Sequence, residues 1–174
     1  MKICDLTQFY SPRSGGVKRY LHEKITHIEN AQPDDEHVLI VPGARTEVTA
    51  GKRHRIYSIR APIVSRKTLY RVLLDRAAIE QVIARERPDI IETSDPYQLG
   101  WWAAQIGERQ RIPVVAYYHS NFPDAYLREP ARWLGTKGHA LAMRGAEAYV
   151  RTLYNRFEAT LVASAQLAAV LRGW

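Results

Sequence analysis

Short apolar runs alternate with longer amphipathic segments along the whole sequence, and this alternation constrains the fold more than any other feature. The apolar runs have the length of strands, and most of the segments between them are long enough for helices of about ten residues or more. Parallel strands need such crossovers, because the chain must return to the same end of the sheet before it pairs again. The sequence therefore predicts an α/β fold: a Rossmann-like, doubly wound, mostly parallel sheet in a three-layer α/β/α sandwich.

The pattern predicts elements in the order β-α-β-β-α-β-α-β-α-β-α, and all 174 residues fit one domain. The predicted strands are residues 2–7, 37–41, 55–59, 89–93, 113–119 and 159–163. The predicted helices begin at residues 17, 69, 96, 136 and 165; Pro33 and Pro88 end the first two, Asp95 caps the third, and Ser164 caps the last.

Composition and cysteine content exclude several classes of protein. Hydrophobic residues make up 46% of the chain and charged residues 25%, as in soluble globular domains. No apolar run approaches the ~18 residues of a membrane span, and no signal region opens the chain. The single cysteine, Cys4, excludes an internal disulfide and a CxxC site. We expect a cytoplasmic protein, peripheral at the inner membrane face.

The net charge of +7 favours an anionic partner such as a phosphorylated ligand, a nucleic acid or an acidic bilayer. No recognised nucleic-acid-binding motif is present, so we expect no nucleic acid as partner. Residues 60–76 interleave basic and apolar side chains, and the helical pattern predicted from residue 69 covers their second part. They form either an amphipathic helix on an anionic membrane or a core helix with a solvated basic face, and the arginines of residues 136–157 leave the same two interpretations.

Two predicted strands are followed by residues that suit a ligand site. Gly15 and Gly16 follow the first strand, where they allow a phosphate or sugar to approach the helix N-terminus or simply form a tight turn. His119 ends the strand at residues 113–119, where its imidazole serves in proton transfer, hydrogen-bonds a sugar hydroxyl or caps the strand end. Asp124 and Tyr126 in the next loop bind a polyhydroxylated substrate or close turns.

Several motifs are absent. The chain has neither GxGxxG nor GxxxxGK[ST], which argues against a dehydrogenase or a nucleoside triphosphatase of those types. It also has no HExxH or HxxxH spacing and no DxD pair, so a histidine metal site or a metal-dependent transfer site of that kind is not expected.

Four stretches, in the right order and across nearly the whole chain, resemble the N-terminal domain of the retaining glycosyltransferase family 4, whose members have the two-domain GT-B fold. They are residues 12–20 (PRSGGVKRY), 88–104 (PDIIETSDPYQLGWWAA), 112–126 (IPVVAYYHSNFPDAY) and 159–167 (ATLVASAQL). The third is similar to the His-x-x-Phe-Pro segment of members that act on lipid or other acceptors.

This resemblance implies transfer of a sugar from a nucleotide sugar to an acceptor hydroxyl, with retention and without a metal or other cofactor. It implies His119 as the catalytic residue beside the sugar, and Gly15 and Gly16 at the donor diphosphate. The other predicted donor- or acceptor-binding residues are Arg19, Asp95, Ser120, Asn121, Asp124 and Tyr126.

In the family a C-terminal domain supplies most donor contacts, and residues 1–174 contain no counterpart of it. We therefore expect one half of a GT-B fold, a truncated or excised acceptor-side domain that is inactive alone. Its partners would be a nucleotide sugar, a carbohydrate or lipid-linked acceptor and the missing domain. The alternative is a non-catalytic Rossmann-like module that binds an anionic carbohydrate, a lipid headgroup or a protein.

Overall fold

The fold is organised around a parallel sheet with helices on both faces. The computed structural model describes residues 1–13 and 15–174, with every side chain among them except that of Tyr126. The strands are β1 (Lys2–Leu6), β2 (Glu36–Gly43), β3 (Glu47–Ala50), β4 (His54–Arg60), β5 (Ile63–Ser65), β6 (Tyr70–Arg71), β7 (Ile90–Thr93), β8 (Val114–Tyr118) and β9 (Ala159–Val162). The helices are α1 (Gly16–Ala31), α2 (Arg76–Glu86), α3 (Gln98–Gln110), α4 (Arg128–Ala131), α5 (Gly135–Tyr154) and α6 (Ala165–Arg172), with a π-helical turn at Pro123–Leu127 and a 3-10 turn at Arg132–Leu134.

Within the described residues, seven strands form one sheet in the order β3-β4-β2-β1-β7-β8-β9, and β5 pairs with β6 in a separate hairpin. Every neighbouring pair in the large sheet is parallel except β3 with β4. The chain moves outward from β1 to β2 and β4, then crosses back to β7 on the other side of β1. This is the doubly wound arrangement that the sequence predicts.

The core has two parts, one on each face of the sheet. Leu39 and Val41 of β2 pack against Leu21 and Ile25 of α1. Val38 and Ile40 point the other way, into the larger cluster that includes buried residues of α2, α3 and α5. Successive strand residues face opposite sides, so the continuous apolar run of β2 is what coverage on both faces requires. The three-layer prediction is confirmed.

The helix predicted to begin at residue 69 is wrong in its first part. The chain forms the β5–β6 hairpin there, and helix α2 begins only at Arg76, where the Asp75 side chain accepts a hydrogen bond from the Ala78 N–H at 2.9 Å. Leu69 has φ +58°, which no α-helix allows. Residues 60–76 are therefore not an amphipathic helix.

The remaining differences lie at exposed edges. The sequence does not predict strand β3, because all four of its residues are exposed and it has no apolar run. The cap predicted at Ser164 is confirmed, since its hydroxyl accepts the Leu167 N–H at 3.2 Å. No helix in the described ranges is long and apolar enough to cross a bilayer.

Candidate functional site

The carboxyl ends of β1, β7 and β8 lie side by side at one edge of the sheet. β1 pairs with both β2 and β7, and the winding direction of the chain reverses between β1 and β7. In open α/β sheets, ligands bind outside the carboxyl ends of the strands at such a switch point. The residues that follow these three strands are therefore the first place to search for a site.

A cleft of about 360 Å³ lies at this edge. It brings together the start of α1 with the segments after β7 and β8. The residues that line it are Phe9, Gly15, Gly16, Val17, Tyr70, Ser94, Pro96, Tyr118, His119, Ser120, Phe122 and Tyr154. Gly15, Gly16 and His119, although the glycines and the histidine are more than a hundred positions apart in sequence, thus line the same cleft.

Gly15 and Gly16 leave open space beside the cleft. A methyl group at either position would meet no described atom within 4 Å, and neither glycine has a positive φ. The backbone turn therefore does not itself demand glycine. Gly15 stands at the N-cap of α1 and offers no side chain to the first N–H groups of the helix. Those N–H groups and the positive end of the helix dipole suit an anionic or hydroxyl group of a ligand.

His119 is half-buried between aromatic rings. Its imidazole stacks on Tyr117, with 4.1 Å between ring centroids and 16° between planes, and meets the edge of Tyr20 at 6.0 Å. Burial lowers the pKa of His119 to about 4; Asp5 opposes this shift and Lys24 adds to it. The ring is therefore neutral at pH 7. Its Nε2 is buried and makes no hydrogen bond to any described residue.

An ion cluster that the sequence analysis missed lies beneath α1. Lys24 Nζ contacts both carboxylate oxygens of Asp5, at 3.1 and 3.0 Å, and Oε2 of Glu92 at 2.9 Å. Tyr20 donates to Oε1 of Glu92 at 2.9 Å, and His37 bonds Asp5 from the far side. Burial lowers the pKa of Lys24, but the two carboxylates outweigh it and hold that pKa above its ordinary value. A signal was present in the sequence, since Asp5 and Glu92 interrupt apolar strands.

Asp95 does not cap a helix, contrary to prediction. Helix α3 begins at Gln98, and Tyr97 occupies its N-cap. Asp95 is 1% exposed, and its Oδ1 accepts the Tyr97 N–H at 2.9 Å in a local turn. Burial raises the pKa of Asp95 to about 7, against weaker opposing effects of Tyr97 and Gln8. The carboxyl lies between the two cleft-lining residues Ser94 and Pro96 in sequence but is not itself part of the lining.

The other predicted site residues divide into two groups. Ser120 lines the cleft, whereas Arg19 is 84% exposed and pairs with Glu23 at 3.8 Å. Asn121 and Asp124 bond each other at 2.9 Å, and Arg128 binds the Asp124 carboxylate at 2.6 Å, so these two residues close their own segment rather than line the cleft. The side chain of Tyr126 and the whole of Ser14 lie outside the described residues.

The lining is aromatic and uncharged, which the sequence analysis did not foresee. Phe9 and Phe122 come from segments that follow strands, but Tyr70 and Tyr154 come from the hairpin and the end of α5. None of the described lining residues carries a charge, because His119 is neutral. Such a surface suits stacking on the C–H face of a sugar ring, and Ser120 and His119 offer groups that can hydrogen-bond to hydroxyls. No group of three or more His, Cys, Asp or Glu side chains suited to a metal occurs among the described residues.

A neutral aromatic cleft at the switch point of a doubly wound sheet defines a small-ligand-binding α/β domain. Residues 14–174 match the family model of Glycosyltransferase Family 4, so the chain belongs to that family. The resemblance seen in its four sequence stretches is thereby confirmed.

Two curated relatives are similar to part of the chain. Each is a GDP-mannose-dependent alpha-(1-6)-phosphatidylinositol dimannoside mannosyltransferase of Mycobacterium tuberculosis, one from strain H37Ra and one from strain CDC 1551. Both are 31% identical over 116 residues, which cover 62% of this chain. The match spans 28% of the length of either relative.

Proposed function

We propose that this chain is the N-terminal, acceptor-side domain of a retaining GT-B glycosyltransferase, which transfers a sugar from a nucleotide sugar to an acceptor hydroxyl. Family membership supports the reaction class. The observation that carries the proposal is the shared cleft, in which Gly15, Gly16 and His119 meet at the switch point of the sheet.

The cleft suits the uncharged groups of this reaction, which are the sugar rings and the acceptor hydroxyl. Its aromatic walls fit a sugar or cyclic polyol, and the unpartnered Nε2 of His119 can exchange a hydrogen bond with a hydroxyl. Since the imidazole is neutral, this hydrogen bond requires no counter-charge in the cleft. The open space beside Gly15 and Gly16 admits the diphosphate and the transferred sugar close to the backbone N–H groups.

The donor phosphates need more positive charge than the described lining of this cleft provides, and Lys18 and Arg19 line only a neighbouring pocket that shares Gly15 and Gly16 with it. No Lys or Arg occurs among the described lining residues of the cleft. Electrostatic stabilisation of the leaving diphosphate is usually a large part of such catalysis. We therefore propose that a second, donor-side domain supplies those cations, that no metal is required, and that the 174-residue chain alone does not turn over.

The test is sugar transfer by the protein that joins this domain to the donor-side domain, with GDP-mannose as first donor and a phosphatidylinositol mannoside as first acceptor, chosen from the relatives' names. His119→Ala should lower kcat by about 10²-fold or more, the usual range for a group that acts on the reacting atoms. His27→Ala, on the exposed side of α1, is the matched control.

Unchanged turnover in His119→Ala would remove that residue from the site. Turnover by residues 1–174 alone would overturn the two-domain proposal. Failure with GDP-mannose but transfer from another nucleotide sugar would change the donor and leave the reaction class intact.

The alternative of a non-catalytic module for an anionic ligand finds less support. An anionic carbohydrate or headgroup would be held by Lys or Arg side chains, and the described cleft lining has none. Lys18 and Arg19 line a neighbouring pocket that shares Gly15 and Gly16 with the cleft, and Lys24 is paired with Asp5 and Glu92, so none of the three belongs to the cleft lining itself.

A further inference from the structure

The turn before α5 and the first half of that helix expose large apolar side chains. Trp133 is 93% exposed, Leu134 62% and Leu141 73%. Helix α5 buries no residue before Ala146, so its first half extends along the surface rather than into the core. An exposed cluster of this kind marks an interaction surface more often than an isolated exposed leucine does.

The exposed leucines face away from the body of the domain. With about 100° of rotation per residue, Leu141 lies about 140° round the helix from Ala146 and about 180° from Val150, which are both buried. Leu134 lies in the 3-10 turn just before the helix and packs against its first turn, since a methyl group at Gly138 would lie 2.7 Å from Cβ of Leu134. Helix α5 therefore buries one side against the core and exposes Leu141 on the opposite side, and Trp133 and Leu134 are exposed in the turn that precedes it.

Basic side chains flank the exposed Leu141. Lys137 lies four positions before Leu141 and Arg144 three positions after it, so both lie beside this leucine on the helix. Neither Lys137 nor Arg144 makes an ion pair with any described residue. We call Trp133, Leu134, Lys137, Leu141 and Arg144 the outer stripe.

We propose that the outer stripe docks on a bilayer that contains anionic lipids. Trp133, Leu134 and Leu141 enter the boundary between headgroups and acyl chains, where a tryptophan ring is favoured. Lys137 and Arg144 extend along the helix to the lipid phosphates, as long basic side chains do at such a boundary. This goes beyond the proposed function, because it assigns a location and a surface and does not depend on sugar transfer.

The charge of the outer stripe favours lipid over a second copy of the chain. Two copies meeting through this surface would bring Lys137 and Arg144 of each against the same basic side chains of the other. An anionic lipid surface instead offers negative phosphates at the depth that the charged ends of Lys137 and Arg144 reach.

The test is co-sedimentation of the 174-residue chain with phosphatidylcholine vesicles, with and without phosphatidylglycerol. We expect binding only with phosphatidylglycerol, and weaker binding at high salt. Lys137→Glu with Arg144→Glu should lower the partition coefficient at least 25-fold, since each lost charge alone costs roughly fivefold. The matched control is Arg66→Glu with Lys67→Glu on the hairpin, which makes the same change in charge on another exposed basic surface.

A second measurement does not depend on charge. Tryptophan emission should shift to the blue when anionic vesicles are added, and Trp133→Phe should remove most of that shift. Leu141→Ser should weaken binding with the same circular dichroism spectrum as the unchanged chain, which excludes misfolding as the cause.

Three results would overturn the proposal. They are no binding of the unchanged chain to phosphatidylglycerol vesicles, loss of binding in the hairpin control while the Lys137/Arg144 variant still binds, and self-association that Leu141→Ser abolishes. Because none of these measurements uses a sugar donor, their failure is separate from failure of the proposed function.

Discussion

Buried polar residues beside the cleft have charge states that the fold determines. Lys24 stays charged because Asp5 and Glu92 both contact its ammonium group. Tyr20 connects this cluster to the cleft, since its hydroxyl bonds Glu92 while its ring makes a T-shaped contact with the His119 ring. His119 is neutral for the opposite reason, because Asp5 does not offset the effect of burial on its pKa. Through Tyr20, the ion cluster therefore holds in place one of the aromatic rings that contact the His119 imidazole.

Asp95 makes stability depend on pH. Its pKa is raised by burial to about 7, so the folded chain keeps the proton that the unfolded chain releases near pH 4. Stability from this group is therefore complete below about pH 4 and is lost as pH rises towards 7, by at most about 1.4 kcal/mol per pH unit. Asp95→Asn has no such proton to lose, so its free energy of unfolding should rise relative to the unchanged chain between pH 4.5 and 8.

Urea unfolding at both pH values measures this difference, and groups common to both proteins cancel in it. Asp34→Asn, at an exposed turn, corrects for the loss of a carboxyl as such. If the difference in free energy of unfolding between Asp95→Asn and the unchanged chain were the same at both pH values, the raised pKa of Asp95 would be contradicted.

Two glycines in helices test how closely the elements pack. A methyl group at Gly100 of α3 would lie 2.4 Å from the Asp95 carbonyl oxygen, whereas one at Gly145 of α5 would meet nothing within 4 Å. Gly100→Ala should therefore destabilise the fold by about 1–3 kcal/mol through overpacking. Gly145→Ala should stabilise it by about 0.5–1 kcal/mol through helix propensity.

Chemical denaturation gives both values, and the two substitutions control for each other because they are chemically the same. Equal stability of the two variants would show that the approach of α3 to the end of β7 is looser than the structure has it.

The elements that the sequence predicts well are those whose burial is uniform. Strand β2 is covered on both faces and α1 on one, so each leaves a clear period in the sequence. Residues 69–73 also fit a helical period, but the left-handed Leu69 and the cap at Asp75 decide otherwise, and neither effect is visible as periodicity. Tertiary pairing across the hairpin overrides the local pattern.

The candidate site was predictable to the extent that it follows strands. Gly15 and Gly16 lie where the loop after β1 meets α1, His119 and Ser120 come directly after β8, and all four line the cleft. Tyr70 and Tyr154 reach it from a hairpin and a helix end, and no local rule connects those positions. Asn121 and Asp124 also lie in the segment after β8, but they bond each other instead of lining the cleft, because a π-helical turn brings them together.

At the scale of the whole molecule, positive charge and the cleft are separate. The chain carries a net charge of +7, yet the described lining of the cleft is uncharged. The charge that suggested an anionic partner therefore belongs to the outer surface, the outer stripe included, while the cleft suits a neutral polyol.

Ionic strength should affect ligand binding in the cleft and membrane binding by the outer stripe to different extents. Binding of a neutral methyl glycoside in the cleft, followed by NMR chemical shifts, should change less than about twofold between low and physiological salt, since no ion pair forms. Binding to phosphatidylglycerol vesicles should fall at least about tenfold over the same range. Equal salt dependence of both would contradict the separation.

The walls of the cleft come from stretches that run from Phe9 to Tyr154, so it exists only when nearly the whole sheet has assembled. Any compound that occupies it joins distant parts of the chain and favours the native state by mass action. The melting temperature of the protein is consequently a direct assay for compounds that bind in the cleft, and a panel of neutral sugars can be ranked without any measurement of turnover.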